Sequence, residues 1–282
     1  MISRLTTYLR DIRDRQRISI ALAKGAVMMQ SRQIDLTRPA TWEFSGFSQN
    51  GEDGIIDVLR RQLLSENRYF IEIGCADGIQ NNCAWLLVAE QFSGLMVEGS
   101  RALVKRAERM MTGFSIGVDF CNLFVSLESI SQLHSLAFHT DPDVMSLDID
   151  GNDYYIARAI LDGGFRPKIF VVEYNSVYGP DRSVTVKYRS DFTFTAAHPS
   201  HLYYGASIAL WRKLFDRYGY RFVTVNRHGV NGFFVEPRFF ASSFLQAIRG
   251  LEFAENQHQL KTFHMPSEQQ FQLIADQELV SI

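Results

Sequence analysis

The most informative stretch of the chain is Tyr69-Phe70-Ile71-Glu72-Ile73-Gly74-Cys75-Ala76-Asp77-Gly78, in which an apolar run ends in a turn with two glycines. The run Tyr69–Ile73 has the length of one strand and predicts a buried one. Glycine lets the backbone approach a neighbour or a ligand closely, so Gly74 and Gly78 indicate a tight turn at the end of that strand. In a doubly wound sheet ligands bind at this end of the first strand. We therefore predict a ligand site at this turn.

Similar apolar runs follow and alternate with stretches long enough for a helix. The strand-like runs are residues 94–97, 114–118, 144–147 and 169–172, and the helical stretches include residues 83–91, 101–111 and 153–162. Continuously apolar strands separated by helices are typical of a parallel sheet that is covered on both faces. The chain is therefore expected to fold as an α/β domain.

The pattern changes towards the end of this domain. After a helical stretch from about residue 206 to 218, two strand-like runs, residues 220–225 and 232–235, are separated by only six residues. No crossover helix fits in that space, so this pair must form an antiparallel hairpin. A mostly parallel sheet finished by an antiparallel hairpin is the outline of class I, Rossmann-like S-adenosylmethionine (SAM) methyltransferases, and it fits dinucleotide dehydrogenases less well.

Composition excludes several classes of protein. The 282 residues are 46% hydrophobic, which allows a sizeable core, and the formal net charge of -2 argues against a nucleic-acid partner. Three cysteines without a CxxC pair indicate neither a zinc site nor a disulfide framework, and a cytoplasmic location is expected. No segment reaches the about 18–20 apolar residues of a membrane span.

We divide the chain into residues 1–46, an N-terminal amphipathic helix and linker; 47–238, the SAM-dependent methyltransferase domain; and 239–282, a helical tail. In the first helix, arginines at positions 4, 10, 13, 15 and 17 alternate with apolar residues. One interpretation is a helix on a membrane surface. Packing on the domain or on a second subunit is favoured, because Asp11 and Asp14 dilute the positive charge. The terminal helices are candidates for joining copies into a homo-oligomer.

Acidic residues at the ends of the first two strands favour SAM as the ligand. Glu72 and Asp77 flank the glycine turn, and Glu98 ends the next strand, where a carboxylate holds the ribose hydroxyls of a nucleotide. The third glycine of the GxGxxG pattern is missing, and the acids would repel a pyrophosphate. SAM has no phosphate and carries a positive sulfonium and amine.

Four motifs together resemble FkbM-type SAM-dependent methyltransferases over roughly residues 47–235. They are Ser48-Gln49-Asn50-Gly51-Glu52-Asp53, Phe70-Ile71-Glu72-Ile73-Gly74-Cys75-Ala76-Asp77-Gly78, Val97-Glu98 and Leu147-Asp148-Ile149-Asp150-Gly151. The resemblance implies O-methylation of a sugar or a hydroxylated natural product. It also implies that Glu72, Gly74 and Asp77 border the methionine part of SAM, that Glu98 borders the ribose, and that Asp119, at the end of the third strand, lies near the adenine. The sequence Asp150-Gly151-Asn152-Asp153 departs from the commoner family pattern.

A second acidic group follows the fourth and fifth strands. Asp148 and Glu173 end these strands, and Asp150 and Asn175 come shortly after them. Oxygen ligands of this kind suit Mg²⁺ or another divalent cation, and metal-dependent O-methyltransferases use a similar arrangement. General acid/base catalysis, hydrogen bonding to the acceptor, and a purely structural role for these acids remain alternatives.

Residues 175–205 contain many aromatic side chains and no clear helix. Because this segment follows the fifth strand, it is expected to lie over the site as a lid for a saccharide or another small acceptor, although alternating apolar residues also allow a strand pair packed on the domain. His198 and His201 are candidate bases for the acceptor hydroxyl. The predicted function is SAM-dependent O-methyl transfer. The alternatives are a non-catalytic SAM- or nucleotide-binding protein and a nicotinamide-dependent oxidoreductase.

Overall fold

The computed structural model describes residues 2–114 and 117–282. The strands are β1 (Tyr69–Ile73), β2 (Ser93–Glu98), β3 (Val118–Asn122), β4 (Val144–Leu147), β5 (Ile169–Glu173), β6 (Val184–Val186), β7 (Arg221–Val225), β8 (Asn231–Val235) and β9 (Leu279–Ser281). The α-helices are α1 (Ile2–Ser31), α2 (Glu52–Arg61), α3 (Ala84–Val88), α4 (Arg101–Met111), α5 (Ile130–Leu136), α6 (Asp153–Asp162), α7 (Phe194–Ala197), α8 (Ile208–Arg217), α9 (Ser242–Ala247), α10 (Gln257–Phe263) and α11 (Ser267–Gln272).

Seven strands form one sheet in the order β3-β2-β1-β4-β5-β8-β7. The pairs among β1 to β5 are parallel, whereas β8 runs antiparallel to both of its neighbours. The predicted hairpin is therefore β7 and β8, inserted so that β8 lies against β5. The predicted class I methyltransferase fold is confirmed, because the strand order reverses beside β1 and the sheet ends in this antiparallel pair.

The sheet separates two hydrophobic cores, which explains why its strands read as continuously apolar. On β1, Phe70 packs in the core under α2 and α3, whereas Ile71 and Ile73 pack in the core under α6 and α8. Successive side chains of a strand point to opposite faces, so a strand that is covered on both sides needs apolar residues at nearly every position. Glu72 shares the face of Phe70 and is the exception in this strand.

The third strand begins later than predicted. Residues 115 and 116 of the predicted run 114–118 lie outside the described residues, and β3 covers Val118–Asn122. The prediction that Asp119 ends this strand is therefore wrong, since Asp119 is its second residue and pairs with Leu95 in the middle of β2.

The N-terminal segment is part of the main core. Ile18 and Ala21 of α1 are buried in the core under α2 and α3, and the linker part of the predicted N-terminal segment 1–46 contributes the fully buried Trp42 and Phe44. Gly25 lies against the ring of Trp85, so the helix approaches the domain closely at this point. Among the described residues, no helix combines the length and the apolar character required to cross a bilayer.

The predicted lid and the predicted tail fold together. In residues 175–205, β6 pairs antiparallel with β9 near the end of the chain. Their apolar side chains form a third, smaller core that includes Tyr178, Val186 and Ile274. The prediction of an entirely helical tail is wrong in its last part, because β9 is a strand. The lid is therefore anchored by the tail and is not a free loop.

Candidate functional site

The glycine turn after β1 brings the ends of β1 and β4 into backbone contact. Gly74 has φ +89, and a Cβ atom at this position would lie 1.7 Å from the carbonyl oxygen of Asp148. Any side chain here would force these two strand ends apart. Glycine is therefore required at position 74 both by its left-handed conformation and by the close approach of its neighbour.

Two cavities meet at this contact, and both are lined by Gly74 and Asp148. The first, here called the edge cavity, has a volume of about 410 Å³ and lies over the ends of β1, β2 and β4, with Glu98, Leu123 and Val125 in its wall. Glu98 accepts hydrogen bonds from the backbone N–H groups of Ala76 (3.0 Å) and Ser100 (2.7 Å). These bonds hold its carboxylate in the position predicted for the ribose-binding acid.

The second, here called the polar cavity, has a volume of about 230 Å³ and lies between β1, β5, β8 and the start of α2. Its wall includes four carboxylates, those of Glu52, Glu72, Asp148 and Glu173. Among the described residues that line the two cavities there is no lysine, arginine or histidine. The combined site is therefore lined by acids without a cationic side chain among the described residues, and it suits a positively charged ligand.

Besides Glu173 Oε2, two buried oxygen atoms in the wall of the polar cavity have no hydrogen-bond partner among the described residues. They are Glu72 Oε2 and Asn231 Oδ1, and the two side chains are only 1% and 3% exposed. Burial raises the pKa of the Glu72 carboxyl to about 7. Buried acceptors without a donor are rare and costly, so both atoms indicate a ligand that donates hydrogen bonds.

Glu52 orients one of these two acceptors. Its Oε1 accepts hydrogen bonds from the side-chain amides of Asn231 (2.9 Å) and Asn226 (2.8 Å), and its Oε2 accepts one from the backbone N–H of Asn50 (2.7 Å). Because Glu52 holds the amide nitrogen of Asn231, the amide oxygen is left without a donor in the wall of the cavity.

The predicted acidic cluster is assembled by the fold. Asp148, Asp150 and Glu173 each offer one carboxylate oxygen, and these atoms lie within 4.8 Å of one another. Burial, followed by the neighbouring negative charges, raises the pKa of both the Asp148 and the Glu173 carboxyls well above their ordinary values. One oxygen of Glu173, Oε2, is buried and without a hydrogen-bond partner. The donor set therefore fits a divalent cation.

Asp150 and Asp153 have different roles in the turn after β4. Asp153 accepts hydrogen bonds from the backbone N–H groups of Ile149 (2.8 Å) and Gly151 (2.7 Å), so it shapes the turn and begins α6. Asp150 is exposed and has φ +54, a conformation that is uncommon for a residue with a side chain. This backbone geometry lets the Asp150 carboxylate join the cluster with Asp148.

Three predicted cofactor residues, Asp77, Gly78 and Asp119, are not in the wall of either cavity. The carboxylate of Asp77 forms ion pairs with Arg17 of α1 (2.9 Å) and Arg106 of α4 (3.2 Å), so its charge is directed away from the cavities. Gly78 lies against Ala107 of α4 and serves the packing of the turn. Asp119 pairs with Leu95 in the middle of β2, and Leu123 and Val125, which follow β3, line the edge cavity in its place.

Asn175 does not join the acidic cluster. Its amide nitrogen donates hydrogen bonds to the carbonyl oxygens of Leu202 (2.7 Å) and Tyr204 (3.1 Å), and its amide oxygen accepts one from the backbone N–H of Val177 (3.1 Å). The predicted metal ligand is thus a buried residue that holds the lid in place, because the fold uses all of its polar atoms.

The two candidate bases lie in the lid and outside both cavity walls, as far as the described residues define them. His198 Nδ1 lies 2.8 Å from the hydroxyl of Ser200, and the exposed His201 packs on Phe194 with ring centroids 5.1 Å apart. Phe192 of the lid does reach the edge cavity, where it packs against Gly151. A catalytic role for either histidine stays a prediction.

Sequence reasoning missed three polar residues of the site, namely Glu52, Asn82 and Asn231. Asn82 donates a hydrogen bond to Ser146 (3.1 Å) beside Glu72, and Asn231 is the first residue of β8, directly opposite Glu173. A usable signal existed for Asn231: the first residue of an antiparallel strand lies at the edge where its parallel neighbours end. Glu52 stands in the motif Ser48-Gln49-Asn50-Gly51-Glu52-Asp53, to which no role was assigned, and no comparable local signal marks Asn82.

No model of a known protein family matches the chain, and no curated protein matches it. Among solved structures, the O-methyltransferase from Bacillus cereus, in complex with SAH, is 13% identical over 78% of this chain and 89% of its own, with a TM-score of 0.42. TomG, an O-methyltransferase from Streptomyces achromogenes involved in tomaymycin synthesis and solved with SAM, is 15% identical over 75% and 93%, with a TM-score of 0.41. The CurJ carbon methyltransferase is 13% identical over 83% and 69%, with a TM-score of 0.42. The assignment of chemistry therefore rests on the residues of the site.

Proposed function

We propose that the protein transfers a methyl group from SAM to a hydroxyl group of a sugar or another hydroxylated small molecule, as in FkbM-type enzymes. One observation carries this proposal: two cavities without a cationic side chain among the described residues of their walls meet at Gly74 and Asp148, beneath a lid. An elongated ligand can lie across this junction. Its ribose then lies beside Glu98 and its amino-acid end in the polar cavity.

The charge of the site favours SAM over a nicotinamide dinucleotide. A pyrophosphate here would face carboxylates, whereas the sulfonium and the ammonium group of SAM are both positive. The ammonium group supplies three N–H donors, and Glu72 Oε2 and Asn231 Oδ1 are two buried acceptors without a donor. Because SAM has no phosphate, its binding needs no phosphate-binding glycine pattern, and this agrees with the missing third glycine.

The acceptor is assigned to the side of Asp148, Asp150 and Glu173. These three residues would hold a divalent cation, which when bound lowers the pKa of a coordinated acceptor hydroxyl and orients it. With the sulfonium above Gly74, Asp148 lies at the junction between cofactor and acceptor. The main contribution of the site to methyl transfer is then alignment of the acceptor oxygen, the methyl carbon and the sulfur.

Thermal unfolding with and without ligand tests the cofactor. SAM and S-adenosylhomocysteine are expected to raise the Tm, and NAD is expected to leave it unchanged. Glu98→Ala should weaken the stabilisation by SAM, whereas the control Glu66→Ala, at an exposed position before β1, should retain it. Stabilisation by NAD alone would contradict the proposal and favour an oxidoreductase. SAM binding without methyl transfer to any of a panel of sugars would favour a non-catalytic SAM-binding protein.

Manganese binding followed by electron paramagnetic resonance tests the cation site directly. Wild-type protein is expected to bind Mn²⁺, and Asp148→Asn is expected to lose at least about tenfold in affinity because one charged ligand is removed. Asp191→Asn changes an exposed acid in the lid and is the matched control. Equal Mn²⁺ binding by Asp148→Asn, or full activity in excess EDTA, would exclude the metal from the proposed reaction.

A further inference from the structure

Helix α1 has apolar residues on two opposite faces. Ile18 and Ala21 are buried against the domain, whereas Leu9, Ile20 and Val27 are 56%, 66% and 65% exposed. Leu9 and Val27 are 18 residues apart, or five helical turns, so they project in the same direction, and Ile20 lies within about 20° of them. The three side chains form a straight row about 27 Å long on the side of the helix opposite Ile18. We call this row the outward face.

Basic side chains flank the outward face, and the acids of the helix lie elsewhere. Arg13 and Lys24 are exposed beside the row, and neither forms an ion pair within the described part of the chain. Asp14 is fully buried and pairs with Arg106 (2.7 Å), and Asp11 pairs with Arg109 (2.8 Å). The acids that seemed to dilute the charge of this helix are thus turned towards α4 and neutralised there. What faces outward is apolar and positive.

We propose that the outward face of α1 binds an anionic membrane surface, with the helix lying parallel to that surface. A row of aliphatic side chains with basic neighbours is the pattern by which helices enter the headgroup region to a depth of about 5–10 Å. Anionic lipids attract each nearby lysine or arginine. Residues 1–31 contain six basic and two acidic residues, although the whole chain has a formal net charge of -2. The attraction is therefore concentrated on this helix.

A second copy of the chain is a less suitable occupant. A stable dimer buries about 800 Å² per partner, and the outward face offers less even when the exposed Tyr8 and Ile12 beside it are included. A lipid surface needs only such a row, and it accommodates a straight helix along its whole length.

The face also lies beside the site: Ile20 and Lys24 line a cavity of about 350 Å³ that shares Ser48 and Gln49 with the polar cavity.

Co-sedimentation of the full chain with vesicles tests this inference. Wild-type protein is expected to bind vesicles of phosphatidylcholine mixed with phosphatidylglycerol, to bind pure phosphatidylcholine much more weakly, and to lose binding as salt is raised. Ile20→Ser with Val27→Ser should reduce binding to anionic vesicles by at least about tenfold. Leu64→Ser, at an apolar side chain that is 68% exposed outside α1, is the matched control and should bind like wild type.

Two results would overturn the inference. Wild-type protein that stays in the supernatant with anionic vesicles excludes the membrane as the partner. A wild-type dimer in light scattering that the double substitution converts to monomer, without a change in vesicle binding, assigns the face to a second copy. Thermal unfolding of each variant in the presence of SAM controls for folding, because both substituted side chains point away from the core.

Discussion

The substitution Glu72→Gln is expected to change the stability of the fold and the affinity for the ligand in opposite directions. Burial raises the pKa of the Glu72 carboxyl from 4.5 to about 7 in the folded chain. A carboxyl whose pKa is raised on folding holds its proton more tightly in the native state. The free energy of unfolding is therefore highest below about pH 4.5, falls as the pH rises towards 7, and is lowest above that value.

The magnitude follows from the difference between the two pKa values. About 2.5 pH units at about 1.4 kcal/mol per unit corresponds to a loss of about 3 kcal/mol between about pH 4.5 and pH 7. Glutamine does not ionise, and its oxygen can keep the contact that Glu72 Oε1 makes with the backbone N–H of Asn82 (3.4 Å). Without ligand, the variant should therefore be more stable than wild type by about 3 kcal/mol at about pH 8 and similar to it at the acidic end.

Urea unfolding at several pH values between about 4.5 and 8, with and without SAM, measures both effects. The same substitution should weaken SAM binding, because the ammonium group loses a charged acceptor, so stabilisation by SAM should shrink as stability without ligand rises. Glu66→Gln changes an exposed glutamate and should leave the pH profile unaltered. Parallel pH profiles for wild type and Glu72→Gln would refute the argument, because they would mean that Glu72 ionises in the folded chain without a penalty.

Three further substitutions test individual contacts by denaturant unfolding. Gly74→Ala should destabilise the fold by more than about 1 kcal/mol and abolish stabilisation by SAM, because the new Cβ would collide with the carbonyl of Asp148. Normal SAM binding by this variant would show that the turn adapts to the extra atom. Asn175→Ala should lower the free energy of unfolding by about 1–3 kcal/mol without weakening Mn²⁺ binding. A loss of Mn²⁺ binding in this variant would show that Asn175 is a metal ligand after all. Lys168→Met should lower the free energy of unfolding by about 3–5 kcal/mol, because it removes the cation that lies 2.7 Å from the buried Asp143 carboxylate. An unchanged unfolding curve would contradict this role of Lys168.

The local pattern of the chain was sufficient to predict most strands of the main sheet. β1 and β4 have the bounds predicted from their apolar runs, and α4 and α6 have the bounds of the predicted helical stretches. The six residues before β8 were enough to exclude a crossover and so to identify the hairpin. These features follow from short-range physics: side-chain period, turn residues and loop length are all properties of neighbouring positions.

The same reasoning predicted that two carboxylates of the acidic cluster lie close to each other. Because parallel strands end at one edge of the sheet, Asp148 and Glu173 could be expected to lie near each other once β4 and β5 were predicted as neighbours. Asp150 followed because it stands two residues after Asp148. The structure brings all three within 4.8 Å.

Partners that are distant in sequence could not be predicted in this way. Asp77 stands in the right turn, yet its carboxylate is held by Arg17 and Arg106, which approach only after α1 and α4 have packed. Asn175 follows a strand end as a metal ligand should, yet the carbonyls of the lid take its amide hydrogens. Which polar atoms remain free for a ligand is decided by competition among all nearby donors and acceptors, and that set exists only in the folded chain.

The sequence by itself determined the order of the elements, the glycine turn at Gly74 and the acidic character of the strand ends, because these are encoded within a few residues of one another. Only the tertiary structure decided which acids face the cavities, that Asn231 joins them from an antiparallel strand, and that Asp11 and Asp14 turn inward while α1 presents apolar and basic residues outward. The reason is geometric: the direction and the partners of a side chain depend on the packing of elements that are far apart in the chain.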